Sequence, residues 1–234
     1  LETVAVRMPS HPAARAVIDA GGGYIAAPSA NTSGRPSPTR AEHVAEDLAG
    51  RIEMIVDGGP VEIGVESTIL DMTVTPPMIL RPGAVTREML EELIGEVAVD
   101  QTLLKADSRT APKAPGMKYR HYAPKANLVV VEGEVEKVTA WIRETAATKQ
   151  QEGKKVGIIA TEETKESYPD GDVKVAGTRA DEATIASSLY GILREFDGDG
   201  VDEIYSEAFA SGGIGAAVMN RLLKAAGHQV IRIT

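Results

Sequence analysis

The chain has 234 residues, with 25 lysines and arginines against 34 aspartates and glutamates, a formal net charge of -9 and no cysteine. The lack of cysteine excludes a disulfide framework and thiol chemistry and fits a reducing compartment, and the acidic balance argues against a protein built mainly to grip a nucleic-acid backbone. No run of about 18 apolar residues occurs, so no membrane-spanning helix is expected, and a composition of 43% hydrophobic and 25% charged residues suits one large globular domain or two small ones.

Glu2–Pro9 reads as a β-strand that ends on Arg7. Ser10 is placed to cap a short helix, Pro12–Ala20, closed by Gly21-Gly22-Gly23. Tyr24–Ala27 reads as the end of a buried strand, followed by the loop Pro28–Thr39 and a helix over Ala41–Ala49. Thr39 with Glu42 fits a capping box. The loop is rich in hydroxyl and amide side chains, and a helix N-terminus beside it offers free N–H groups to phosphate. A plain polar connection accounts for the same residues equally well. Ile52–Val56 is a further strand, Asp57–Pro60 a turn, and Ile63–Met72 a strand interrupted by Glu66-Ser67-Thr68. Met78–Arg81 is a strand stopped by Pro82-Gly83, and Thr86 caps a helix that runs to Ile94. This irregular mixture is that of an α+β or mixed-sheet domain.

Gln101–Lys125 is a linker by composition, yet Tyr119, Arg120, His121 and Tyr122 crowd together in a chain that is only 4% aromatic. A loop with a function is the sharper reading, and a linker that docks on a surface is the other. Beyond Asn127 the pattern becomes regular. Leu128–Val131, Lys155–Ala160, Val173–Ala176, Glu203–Tyr205 and Val230–Ile233 read as strands. Helices are signalled by Val135, Val138 and Ile142, with Trp141 beside them, by Ile185, Leu189, Ile192, Leu193 and Phe196, and over Ala216–Ala226. Such alternation predicts a small doubly wound domain with a largely parallel sheet.

Gly212-Gly213-Ile214-Gly215 is a partial echo of a dinucleotide turn, and a tight turn that lets a helix pack on its sheet explains it better. The histidines show no metal-ligand spacing, and no metal site is expected. Most acidic residues should lie on solvated helix faces. Ser67 could meet a ligand or a neighbouring backbone group. Arg7 and Arg81, each at a strand end, suit a phosphate or carboxylate fork. With the hydroxyl-rich loop they favour a nucleotide or carboxylate site.

Together, Thr3-Val4-Ala5-Val6-Arg7-Met8-Pro9, Ala27-Pro28-Ser29-Ala30-Asn31-Thr32-Ser33-Gly34, Val65-Glu66-Ser67-Thr68 with Asp71, and Ile79-Leu80-Arg81-Pro82-Gly83 resemble the two-domain threonylcarbamoyl-AMP synthases, which are built on a YrdC-like domain. Pro115–Pro124 is similar to the linker of that family, and Gly213–Leu222 to its C-terminal domain. The resemblance implies an α/β protein in three parts. A partial YrdC-like mixed α+β domain covers 1–100, an interdomain linker and lid 101–126, and a small Rossmann-like parallel-sheet domain 127–234.

It also implies synthesis of threonylcarbamoyl-adenylate from L-threonine, bicarbonate or CO2, and ATP with Mg²⁺, releasing pyrophosphate. The product would pass to a downstream tRNA threonylcarbamoyl transferase that modifies adenosine 37. Stable binding of nucleic acid or membrane is not expected, and the location would be cytoplasmic. Carried over residue by residue, Ser29 and Asn31 are the catalytic candidates. Arg7, Ser29 and Ser67 would bind threonine, and Thr3, Asn31, Thr39 and Arg81 would bind ATP. Tyr119, Arg120, His121 and Tyr122 would form the lid over a labile carbamate and mixed anhydride.

The family's Lys-x-Arg motif before the Thr3–Arg7 strand has no counterpart here, since Lys118-Tyr119-Arg120 belongs to the linker. The chain therefore reads as a member lacking its N-terminal part and is expected to be inactive or unstable alone. Two rivals remain: another carbamoyl-activating enzyme, disfavoured by the linker and C-terminal domain, and an RNA-binding module, disfavoured by the acidic balance.

Overall fold

The computed structural model describes residues 3–100, 103 and 122–234. The C-terminal region carries a five-stranded, wholly parallel sheet. Its strands are β4 (Asn127–Glu132), β5 (Val156–Ala160), β6 (Asp172–Val175), β7 (Glu203–Glu207) and β8 (Val230–Arg232), in the order β6-β5-β7-β4-β8. The central strands are continuously apolar because helices cover both faces. Leu128 and Val130 point to one face, with Ile159 and Ile204, under α5 (Glu182–Asp199) and α6 (Gly215–Ala225). Val129, Val131 and Ile158 point to the other, under α4 (Val135–Gln151). Period-two alternation along each strand divides the two cores in this way. Trp141 lies at the edge of the second core, edge-on to Tyr205 with ring centroids 5.8 Å apart. Asp181 caps α5 by accepting from the Ala183 N–H, and Gly200 ends that helix in the left-handed conformation.

Residues 3–100 contain less regular structure. Helices α1 (Pro12–Ala20), α2 (Ala41–Leu48) and α3 (Arg87–Ile94) fall where the sequence places them. Thr86 caps α3 by accepting from the Met89 N–H at 3.3 Å, as its sequence position predicts. Two other cap expectations are corrected. His11, not Ser10, is the N-cap residue of α1, and Arg40, not Thr39, that of α2, with no side-chain cap at either.

The strand expectations fare worse. Only β1 (Ile69–Asp71), β2 (Met78–Arg81) and β3 (Ala98–Val99) form; β1 is antiparallel and β3 parallel to β2. Segments 3–9, 24–27 and 52–56 form no ladder, and the polar triplet at 66–68 precedes β1. An apolar run supplies strand propensity, but a strand exists only where another chain segment takes up its backbone groups. Val4, Val6, Met8, Tyr24 and Met54 are accordingly exposed.

The two regions meet along one stripe of α5. Gly64 (φ 77°) lies against it so closely that a Cβ there would sit 2.2 Å from the Ala186 carbonyl oxygen. Both the backbone angle and the approach require glycine. At helical spacing from Ala186, Tyr190 and Arg194 continue the stripe, each reaching into the N-terminal region.

Candidate functional site

The loop before α2 is pinned from below by Asp47. Its carboxylate accepts from the Thr32 N–H at 2.9 Å and pairs with Arg35, while the Thr32 hydroxyl donates to the Asp47 carbonyl at 3.4 Å. From the C-terminal region Arg194 donates to the Pro36 carbonyl (Nη2, 2.7 Å; Nε, 3.1 Å) and to Asp47 (Nη2, 2.9 Å; Nη1, 3.2 Å). Burial pushes the Asp47 carboxyl up, but the Arg194 and Thr32 hydrogen bonds and the arginine charges outweigh it, and the net direction is down. Asn31 folds back on the loop, its Nδ2 donating to the Thr32 and Arg35 carbonyls at 3.0 and 3.3 Å. Its Oδ1 is buried without a hydrogen-bond partner among the described residues. An acceptor in that state is costly unless something arrives to donate to it.

A second cluster surrounds Glu66. Its carboxylate accepts from Arg221 Nε at 2.7 Å, the Ser37 hydroxyl at 2.5 Å and the Tyr190 hydroxyl at 3.1 Å. Burial raises the Glu66 carboxyl; the Arg221 charge and the Ser37 hydrogen bond more than reverse this, holding it below the usual range. Arg81 Nε and Nη2 both donate to the Ser67 carbonyl, at 3.1 and 2.9 Å. Burial lowers the Arg81 guanidinium, with Arg221 nearby acting the same way. Gly83 packs on this segment so tightly that a Cβ would lie 2.4 Å from the Thr68 nitrogen. Tyr122 is buried beside the cluster, its ring 5.3 Å from that of Tyr190, and the next residue, Ala123, donates its N–H to the Gly34 carbonyl at 3.1 Å.

The structure thus joins Ser67 and Arg81 in direct contact, and links the Asn31 loop to them through the hydrogen bond from Ser37 to Glu66. Thr3, Arg7 and Ser29 are exposed. Thr39 differs from expectation: it is buried, and its N–H donates to His43 Nδ1 at 3.1 Å, inside the contact with α5. Arg7 ends no strand, because segment 3–9 lies in no sheet. Tyr119, Arg120 and His121 lie outside the described residues. Among the described residues no group of three or more His, Cys, Asp or Glu could hold a metal ion, and no helix is long and apolar enough to cross a membrane. At the Gly212–Gly215 turn the Gly215 N–H donates to Glu182 Oε2 on α5 at 2.9 Å.

Sequence reasoning missed Asp47, Glu66, Arg194 and Arg221 as partners. One signal existed for the arginines. Arg194 stands among Leu193 and Phe196, and Arg221 beside Leu222 and one turn from Val218, so both interrupt apolar helix faces. A charge placed there must find a partner.

Fold and site define a two-part α/β protein in which loops rich in hydroxyls and arginine lie against a parallel-sheet domain. The family described as "Threonylcarbamoyl-AMP synthase, C-terminal domain" matches residues 85–227, and that described as "Telomere recombination" matches residues 1–83. The chain belongs to the Sua5 family of threonylcarbamoyl-AMP synthases. It is 53% identical over 99% of its length to a threonylcarbamoyl-AMP synthase of Bacillus subtilis, and 49% identical over 100% to one of Pyrococcus abyssi, spanning 65% and 66% of those proteins. The crystal structure of P. abyssi Sua5 complexed with L-threonine superposes with a TM-score of 0.90 at 48% identity, covering 100% of this chain and 67% of that one. The chain therefore spans about two thirds of the length of the curated relatives it matches. These matches give no support to the expectation that the polypeptide is inactive.

Proposed function

We propose that this protein takes part in making threonylcarbamoyl-adenylate from L-threonine, bicarbonate or CO2, and ATP, with release of pyrophosphate, for threonylcarbamoylation of tRNA adenosine 37. One observation carries the reading: the chain's likeness, along its whole length, to a relative crystallised with L-threonine. In this chemistry the threonine amine captures CO2 as a carbamate, a carbamate oxygen attacks the α-phosphorus, and pyrophosphate leaves. Such a step asks the protein for positioning and charge neutralisation rather than covalent help.

The residue roles follow the same reading. Arg7, Ser29 and Ser67 would bind threonine, and Thr3, Asn31 and Arg81 the nucleotide. Asn31, whose Oδ1 has no partner among the described residues, would accept from the bound substrates, and Ser29 with Asn31 would carry the catalytic contacts. Thr39, being buried, would act by supporting the loop. Tyr119, Arg120, His121 and Tyr122 would cover the site as a lid. Mg²⁺ would enter on the ATP phosphates as part of the substrate, neutralising their charge. The division into 1–100, 101–126 and 127–234, a cytoplasmic location and hand-over to a tRNA threonylcarbamoyl transferase belong to the same proposal.

Pyrophosphate release from ATP tests it. Release should require both L-threonine and bicarbonate, and should fall about tenfold or more in Ser29→Ala and in Arg81→Ala. Threonine-independent release, or full activity in both variants, would refute the reading. An RNA-binding module would instead retain RNA on a filter with an affinity that drops steeply with salt.

A further inference from the structure

We propose that Arg194 and Arg221, on the C-terminal sheet domain, are positioning residues for the adenylate-forming site. Arg194 would set the nucleotide-side loop through Asp47 and Pro36, and Arg221 the threonine-side segment through Glu66. The inference rests on the function proposed above and gives the C-terminal domain a part in it.

The geometry is specific. Both guanidinium groups are almost wholly inaccessible, at 2% for the Arg194 side chain and 0% for that of Arg221. A buried charge is tolerated only if its donors are satisfied. Here the donors are spent across the boundary between the two regions. Arg194 serves the Pro36 carbonyl and both oxygens of Asp47. Arg221 serves the Glu66 carboxylate at 2.7 Å and the Glu66 carbonyl at 3.3 Å, with one further bond, at 3.1 Å, to Asn220.

Two consecutive carbonyls, those of Glu66 and Ser67, are thus each held by a guanidinium, from Arg221 and Arg81 respectively. The backbone that presents Ser67 is fixed on both sides of its peptide link. Asp47, gripped by Arg194, in turn holds the Thr32 N–H, the residue after Asn31. Tyr190, one helical turn before Arg194, adds a bond to Glu66, so α5 addresses both clusters.

Well-packed apolar side chains would join two regions at less desolvation cost than buried ion pairs. What the pairs add is direction: a forked guanidinium accepts its partners in few orientations. Reactions that depend on placement lose rate steeply when the placement slackens.

The test is a crossed kinetic comparison in the intact protein, read as threonine-dependent pyrophosphate release. Arg221→Met should raise KM for threonine about tenfold or more and by a larger factor than KM for ATP, and Arg194→Met should raise KM for ATP by the larger factor. Arg221→Lys should recover part of the threonine effect. Arg232→Ala, which breaks an exposed pair with Glu132, should alter neither. If an arginine variant does not fold, the near-isosteric Glu66→Gln and Asp47→Asn carry the same crossed expectation. A merely structural role predicts loss of folded protein, hence lower kcat, with both KM values intact. That result, or equal changes in both KM values, overturns the inference while the functional reading stands. Wild-type protein lacking threonine-dependent release would overturn the functional reading first, and this inference with it.

Discussion

Residues 122–234 and residues 3–100 solve the problem of burial in different ways. The C-terminal region fills both faces of its sheet with its own side chains: Leu128, Ile142, Ile158, Leu189, Phe196 and Ile204 are inaccessible to solvent. Among the described N-terminal residues the buried hydrophobics are Ile79 and Val97, whereas Thr39, His43, Asp47 and Asp100 are buried polar groups. Asp47 and Glu66 meet α5 and α6 through ion pairs, and Gly64 meets α5 through a close backbone approach. One region is a self-contained core. The other takes its order at the candidate site from polar anchors on its neighbour. A catalytic loop held this way gains geometry that an apolar patch would not specify.

Three perturbations test this difference between the regions. The largest effect should come from Phe196→Ala in the C-terminal core, which removes a wholly buried ring packed against Gly157. A loss of about 3–5 kcal/mol is expected in denaturant unfolding, with both regions lost together, since α5 underlies the sheet and carries the anchors.

Gly64→Ala should cost less, about 1–3 kcal/mol, by forcing a methyl group into the Ala186 carbonyl. Its mark should be local. Hydrogen exchange should quicken over 31–38 and 63–68 while β4, β5 and β7 stay protected, and uniform change across the chain would show that the two regions do not differ in this way.

The smallest effect is that of acid. The Asp47 and Glu66 carboxyls titrate below their ordinary values in the folded protein. The unfolded chain therefore binds more protons, and stability rises with pH through their range. Their contribution is complete above about pH 5 and is lost as pH falls through the depressed values. His43, lowered by burial and by Arg194, acts with the same sign at higher pH. Acid should loosen the contact between regions before the C-terminal sheet melts. Amide exchange along a pH series checks the order, and simultaneous loss would refute it.

The sequence determined by itself those features that rest on local chemistry. Helices α1, α2 and α3 and the alternating elements beyond Asn127 follow from apolar period and glycine stops, and the Thr86 cap needs only its own turn. Motifs such as the Ser29–Gly34 loop and the Pro115–Pro124 linker carried the family likeness for the same reason, being contiguous in the chain. Only the tertiary structure decided which apolar runs became strands, because a ladder needs a partner that Val4–Met8 and Ile52–Val56 do not find among the described residues. It alone decided that Thr39 turns inward toward His43. It also decided that Asp47 and Glu66 are anchors rather than solvated charges. Their partners, Arg194 and Arg221, stand 147 and 155 residues away, and a pairing across that distance exists only once the chain has folded.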